Sequence, residues 1–337
     1  MARRVKQGVL QAAEFFGVNR FFRDRTRSRL LGLCYHGVIG DDAPMDDPRT
    51  RIAVTQLQFE TQLSELRRHW RPIALSELDR RFRENEPIPE HSVFVTFDDG
   101  FLNNLNVAAP ILQKYEIPAT IFLTTGLIET GDTIWPLELV ERIVAWYGND
   151  LPQPNGDGTL ALPTEPRERI ETAISVMNRC KLLPDDRRVQ YLETIRSKTV
   201  FQTTEYWQYE LYRFLTWQDV RQLRGMGFEL GAHTVSHCNL AKRPIDEAVS
   251  EMRESKERIE AELGTECFAL AYPFGDRSAF SDVVVDAASD LGFRIGTTLC
   301  MHRNPERPPP MRLDRICITG DTTLASFRSL IAGWRGN

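Results

Sequence analysis

The sequence predicts an α/β fold built on a parallel sheet or barrel. Two observations predict it. Short apolar runs recur at residues 30–35, 92–97, 119–124, 228–232, 267–272, 293–298 and 315–319, and stretches of helical period separate them. Side chains able to do chemistry fall just after four of these runs: His36, Asp98 and Asp99, His233 and His237, and the turn Pro273-Phe274-Gly275. In a parallel barrel every strand ends on one face, so residues distant in sequence meet there.

The elements follow in order. Residues 54–70 read as a helix, opened by a capping box of Thr55 and Gln58, with Leu63, Leu66 and Trp70 at helical spacing. "SVFVTF" (92–97) is a strand, and 103–115 a helix despite Pro110. After the strand 119–124 come residues 126–215, which show no strand pattern. Three stretches of that insert read as helical ("PLELVERIVAWYG", "RERIETAISVMNRCKLL", "DDRRVQYLETIRSK"), with a loop-like break at 149–159. Alternation then resumes. Thr216 and Asp219 cap a helix over "WQDVRQLRGMG", and Gly264 stops a long charged helix from 244. Further helices are expected at about 281–291 and 322–334.

The chain has 337 residues, 42% hydrophobic and 26% charged, which suits a globular protein with a full core. A net charge of -5 gives no nucleic-acid footprint. Charge is uneven, however. Residues 1–30 hold eight Arg/Lys against two Asp/Glu, a balance of +6, so the rest carries -11. Within 5–22, Val5, Val9, Ala12, Ala13, Phe16 and Phe22 share a helical face. That pattern suits peripheral contact with anionic lipid, and equally a helix docked on its own domain or on a partner.

The six cysteines are widely spaced with no CxxC, as expected of core or loop thiols in a reducing compartment. No apolar run is long enough to span a bilayer. Gln11 and Glu14 interrupt the N-terminal apolar stretch where a signal peptide needs continuity. The expected location is cytoplasmic.

Two motifs carry the chemistry. In "AHTVSH", His233 and His237 stand four apart, so a helical turn would point both imidazoles at one metal. Two imidazoles and one carboxylate, with an open position for water, make a catalytic-metal set. In "VFVTFDDGF" (93–101), consecutive side chains leave the strand on opposite sides. One aspartate can bind the metal, and the other can take a proton from the water beside it. An acidic turn is the plain alternative for "DDG" alone. His36 in "LCYHGV" can protonate a leaving amine, or be a core histidine. His69, His91 and His302 read as surface residues. Trp135, Trp146 and Trp207 in the insert suit sugar stacking or a core.

Together these stretches resemble the polysaccharide deacetylase family, carbohydrate esterase family 4, from residue 31 to about 320. "TFDDG" (96–100) matches its first motif, "HTVSH" (233–237) its second, and "YPFG" (272–275) its third. The resemblance implies a distorted (β/α)7 barrel with a helical insertion. The resulting layout is a basic segment 1–30 and a deacetylase domain 31–337, with a mostly helical insert at about 126–215. It further implies Asp98 as general base, and Asp99, His233 and His237 as ligands of a divalent metal. Zn2+ is the expected ion, with Co2+, Ni2+ and Fe2+ also used in the family. The backbone N–H of Phe274 would face the oxyanion.

Two departures stand out. Ala271 occupies the place of the arginine that normally orients the base, and Arg315 is the expected substitute. No histidine follows His302, so the late acid histidine is missing, while His36 precedes "TFDDG". That order resembles the circularly permuted subgroup that de-N-acetylates poly-N-acetylglucosamine. The implied activity is metal-dependent removal of N-acetyl groups from N-acetylglucosamine-type sugars of a glycan or glycan precursor. The alternatives are an amide or formyl hydrolase on a lipid-linked sugar, and a non-catalytic glycan-binding protein.

Overall fold

The computed structural model describes residues 17–200 and 206–334. Its centre is one parallel sheet: β1 (Leu31–Tyr35), β2 (Ser92–Phe97), β3 (Ala119–Leu123), β4 (Glu229–Ala232), β5 (Ala269–Ala271), β6 (Ile295–Thr298), β7 (Leu313–Asp314) and β8 (Ile316–Cys317). The spatial order is β7-β6-β5-β4-β3-β2-β1-β8, and the short strand Arg71–Pro72 adds to the start of β2. β7 and β8 are the two halves of one strand. The first half pairs with β6 and the second with β1, which curls the sheet nearly closed as a seven-stranded barrel. Asn304 pins the seam. Its Nδ2 donates to Leu30 O at 3.3 Å and Asp314 O at 2.8 Å.

Parallel strands covered on both faces should be apolar throughout, and β1, β2 and β3 are buried at every position. Alternation still sorts their faces. Val93, Val95 and Phe97 of β2 join the large cluster beneath the helices, with Leu31, Leu33, Ile121 and Leu123. Phe94 and Phe122 turn the other way and fill the barrel with Leu30, Ala269, Ala271, Ile295 and Leu313. A Cβ on Gly32 would sit 2.4 Å from the Phe94 ring, so this position must stay bare for the barrel to hold that phenylalanine.

The helices are α1 (Val18–Arg25), α2 (Gln56–His69), α3 (Leu75–Arg83), α4 (Ala109–Lys114), α5 (Trp135–Val144), α6 (Pro166–Cys180), α7 (Asp185–Arg196), α8 (Tyr206–Tyr212), α9 (Trp217–Gly225), α10 (Ile245–Leu263), α11 (Asp282–Asp290) and α12 (Leu324–Ala332). Both expected capping boxes form, Thr55 with Gln58 and Thr216 with Asp219. Gly264 ends α10 at φ 61°. Residues 104–108 ahead of α4 are a π-turn, which leads into α4 with Pro110 in its first turn.

Two expectations are corrected, on the insert and His91, and the structure bears on two that the sequence leaves open, the insert tryptophans and the N-terminal helix. The insert does contain strands: Asp150–Pro152 pairs antiparallel with Thr159–Ala161 across the break at 149–159. Gly156 and Gly158, both at positive φ, make that turn, and a Pro/Asn/Asp-rich stretch conceals strands this short. Trp135 and Trp146 are buried in a separate insert core with Leu139, Ile143, Val176 and Ile195, so neither is a stacking platform; the side chain of Trp207 lies outside the described residues. His91 is half-buried edge-on to Trp70 at 5.9 Å. Finally, residues 1–16 of the expected amphipathic segment lie outside the described residues, but α1 packs on the chain's own C-terminal helix. Trp334 Nε1 donates to Asn19 Oδ1 at 2.6 Å, and His91 N donates to Arg27 O at 2.7 Å. α1 thus sits at the end of the barrel where strands begin.

Candidate active site

The side chains that the sequence singles out converge at the other end. β2 delivers Thr96 and Asp98 on its inward face, continuing the alternation from Phe94. The next residue, Asp99, takes φ 75°, which breaks the alternation and turns its carboxylate back over the barrel mouth. His233 directly follows β4. The expected helical turn from His233 to His237 does not form. The segment is a loop in which Thr234 (φ 63°) and His237 (φ 54°) are left-handed. Glu251 of α10 holds that loop by accepting from Val235 N (2.9 Å), Ser236 N (2.9 Å) and Ser236 Oγ (2.6 Å). Thr234 Oγ1 accepts from His237 N at 3.0 Å. Left-handed non-glycine residues cost about 1–3 kcal/mol each, so such a run marks a place where geometry outweighs local stability.

Asp99 Oδ1 lies 3.5 Å from His233 Nε2 and 3.3 Å from His237 Nε2, with all three residues buried. His233 Nδ1 contacts Ala271 O at 2.8 Å. If that nitrogen carries the ring proton, as a carbonyl partner requires of a neutral imidazole, the Nε2 lone pair faces Asp99. Neither oxygen of Asp99 has a hydrogen-bond partner among the described residues. A buried carboxylate without a hydrogen-bond donor is costly. A divalent cation shared by the three removes that cost, and two nitrogens with one oxygen are a donor set suited to zinc. Burial would push the Asp99 carboxyl up, but the two imidazoles and His36 hold it well below the usual range.

Asp98 has a different partner. Arg315, fully buried at the seam between β7 and β8, places Nη1 2.6 Å from Asp98 Oδ1 and Nη2 2.8 Å from Oδ2. The guanidinium is itself fixed, with Nη1 donating to Thr96 Oγ1 (2.8 Å) and Nε to Thr298 O (3.1 Å). Burial opposes ionisation of Asp98, yet the Arg315 charge and fork hold its pKa below normal. Ala271 packs in the barrel interior with Phe122, and the Arg315 guanidinium lies 5.5 Å from the Phe122 ring centre. The arginine reaches Asp98 from the seam instead of from β5.

His36 follows β1 and lines the same cavity as Asp98, Asp99, His233, His237 and Phe274. Burial alone would lower its pKa, but Cys317 and the two carboxylates push it up to about 9. Cys34 and Cys317 are register partners on β1 and β8. Sequence reading missed both, because a lone cysteine in a strand carries no signal of its strand-mate. Cys34 Sγ donates to Asp98 Oδ2 at 3.3 Å. Cys34, His36 and Asp98 form a second cluster of metal-type donors. Burial holds the Cys34 thiol protonated and Arg315 occupies Asp98, so this cluster is the weaker cation site.

Phe274 takes φ 64° and Gly275 φ 61° in the turn after β5. A Cβ on Gly275 would lie 2.6 Å from Leu299 N, so only glycine completes the turn. The Phe274 ring stands edge-on to His237 at 4.8 Å and to Trp135 at 5.8 Å. Trp135 Nε1 also donates to His237 O at 3.1 Å. The insert therefore grips two of the three motifs, a link that sequence spacing did not suggest. The cavity measures about 370 Å³.

Comparison with known proteins agrees with this architecture. The polysaccharide deacetylase family model matches residues 85–146 and 192–296, and leaves the middle of the insert unmatched. A poly-beta-1,6-N-acetyl-D-glucosamine N-deacetylase of Staphylococcus aureus is 36% identical over 74 residues, 22% of this chain and 26% of that protein. The corresponding Staphylococcus epidermidis protein is 31% identical over 111 residues, 30% of this chain and 38% of its own. The aligned stretches thus span only about a quarter to two-fifths of the curated relatives. Among solved structures, the deacetylase PplD of Streptococcus pyogenes shares the fold at a TM-score of 0.59 and 19% identity, covering 90% of this chain and 98% of that one. IcaB of Ammonifex degensii gives 0.57 at 18% identity, with 90% and 97% covered. The chain thus carries a polysaccharide deacetylase domain, with its two main motifs on the matched segments, and shares its barrel fold with these solved structures.

Proposed function

We propose that the protein is a metal-dependent N-deacetylase that hydrolyses N-acetyl groups on N-acetylglucosamine-type sugars. The carrying observation is the division of labour between two adjacent aspartates: Asp99 faces two imidazoles with both oxygens unpartnered, while Asp98 is clamped by Arg315. Asp99, His233 and His237 would hold a divalent cation, with zinc the expected ion, and it would supply Lewis acidity for the attack of water on the acetamide. Asp98 takes the proton from that water, and Arg315 keeps it ionised and aimed. The N–H of Phe274 faces the oxygen on which charge develops. His36 gives its proton to the departing amine, leaving acetate and a free amino sugar.

The glycan-binding alternative rested on the missing arginine, and the two-point contact from Arg315 removes its support. The position of His36 before the first motif favours the circularly permuted subgroup. We read residues 31–337 as the deacetylase domain with its insert, and residues 1–30 as a basic segment whose described part docks on that domain. Because α1 sits where the strands begin, lipid contact by that segment would hold the barrel by the end opposite the site. The described cysteines are all free thiols, which favours a reducing, cytoplasmic setting, and no described helix is long and apolar enough to cross a membrane.

The test is acetate release from chitooligosaccharides and β-1,6-linked N-acetylglucosamine oligomers, with and without a chelator. Chelator-sensitive acetate release is expected. No release from these oligomers or from alkyl glycosides of N-acetylglucosamine, after reconstitution with zinc, cobalt, nickel or iron, would overturn the proposal.

A further inference from the structure

The cavity over the catalytic residues has an unusual wall. Leu137 and Val140, three apart on α5, and Ile174 and Met177, three apart on α6, present aliphatic side chains to it. Ile52 and Leu299 face them from the barrel loops. Leu137, Ile174, Met177, Ile52 and Leu299 are only half-buried, so apolar surface lies open inside the cleft.

Apart from the site residues and Lys181, whose ammonium lies 5.1 Å from the Phe274 ring centre, the polar groups around the same cavity are largely committed elsewhere. Arg49 bonds Asp47 through Nη2 (2.6 Å) and Glu141 through Nη1 (2.9 Å). The Tyr212 hydroxyl donates to Glu141 at 2.8 Å. Arg51 pairs with Asp321 at 3.2 Å, and Asp276 accepts from Ser278 N and Oγ. The insert tryptophans that would make aromatic platforms are in its own core.

A sugar ring surrounded by more sugar needs hydroxyl partners and flat aromatic faces. An acetyl group needs room for one methyl. This wall offers neither pattern and exceeds the methyl, and exposed apolar surface continuous with a reaction centre marks what binds there. We propose that the substrate is an acetamido sugar bearing an aliphatic aglycone, which lies against α5 and α6 while the acetamide reaches Asp98 and Asp99. This rests on the N-deacetylase reading above and names its substrate class. The feature at the mouth is the insert, not the basic N-terminus.

Acetate release is measured on the methyl, butyl and hexyl glycosides of N-acetylglucosamine, all below their micelle concentrations, beside a chitooligosaccharide. Each buried methylene is worth about 0.8 kcal/mol, so partial burial of five extra carbons should raise kcat/KM from methyl to hexyl by at least about tenfold. In Leu137→Asn and Met177→Gln this ratio should fall toward one. The ratio is taken within each variant, so loss of folded protein does not disturb it. A wild-type ratio near one, or acetate from the chitooligosaccharide alone, would overturn the inference and leave the deacetylase reading standing. A high ratio unaltered in both variants would overturn the assignment to this wall. No acetate from any substrate would overturn the deacetylase reading and the inference with it.

Discussion

Arg315 and Asp98 meet in a two-point contact of 2.6 and 2.8 Å, though 217 residues separate them and neither side chain reaches solvent. The contact exists because one strand changes partners at residue 315. Leu313 faces the barrel interior while pairing with β6, and Cys317 pairs with Cys34 of β1. The arginine between them therefore spans the seam.

This predicts a specific phenotype. Arg315→Lys keeps the charge but loses the fork, so kcat should fall by at least about tenfold with metal content unchanged. The base must be ionised, and its pKa is held down by Arg315; activity is present above that pKa and lost as pH falls through it. Weakening the contact raises the pKa, so the acid limb of the pH–rate profile should move to higher pH. Arg315→Met should go further and cost about 3–5 kcal/mol, because it strands a buried carboxylate. An unmoved acid limb in Arg315→Lys would show that the arginine does not tune the base.

The two aspartates should separate cleanly. Asp98→Asn should lower kcat by about 10²–10⁴-fold and bind metal normally. Asp99→Asn should weaken metal binding itself, since it removes the only anionic donor of the cluster. Metal titration followed by calorimetry distinguishes them. Chelation should lower the wild-type Tm by several degrees, an effect that Asp99→Asn should largely abolish.

The parallel barrel was legible because apolar runs alternated with helical periods, and the motifs because they fell at strand ends. "VFVTF" and "TFDDG" mark both β2 and its carboxylates without help from the rest of the chain. What stayed hidden depends on strand pairing. The split at Arg315, the Cys34–Cys317 pair and the hold of Glu251 on the second motif exist only after the sheet closes. The turn at 233–237 was misread for a local reason. Spacing of four fits a helix, but tertiary bonds impose left-handed φ at Thr234 and His237.

His36 yields a prediction in the metal-free protein. Its imidazole should titrate near 9, raised against burial by Cys317 and the carboxylates. Such a group is protonated below that value, so it can act as an acid at neutral pH and loses this role as pH rises through it. A cation at Asp99 opposes the imidazolium charge, so metal loading should move the midpoint down. Cys317→Ala should lower it too. Side-chain NMR of the metal-free, metal-loaded and Cys317→Ala proteins reads all three, and a midpoint at or below 6.5 in the metal-free protein would contradict the raised value.

The last prediction concerns the insert, which holds the metal site from outside the barrel. Trp135 Nε1 donates to His237 O at 3.1 Å, its ring meets Phe274, and the Arg188 guanidinium lies 4.8 Å from it on the insert side. Trp135→Phe keeps an aromatic ring in the insert core and removes only the N–H, leaving a buried carbonyl short of a partner. The cost should be about 1–3 kcal/mol, shared between stability and the placement of His237. Metal affinity should therefore fall by several-fold, although Trp135 is not a ligand. If Trp135→Phe instead lowers Tm while metal affinity stays at the wild-type value, the insert supports the fold without tuning the site.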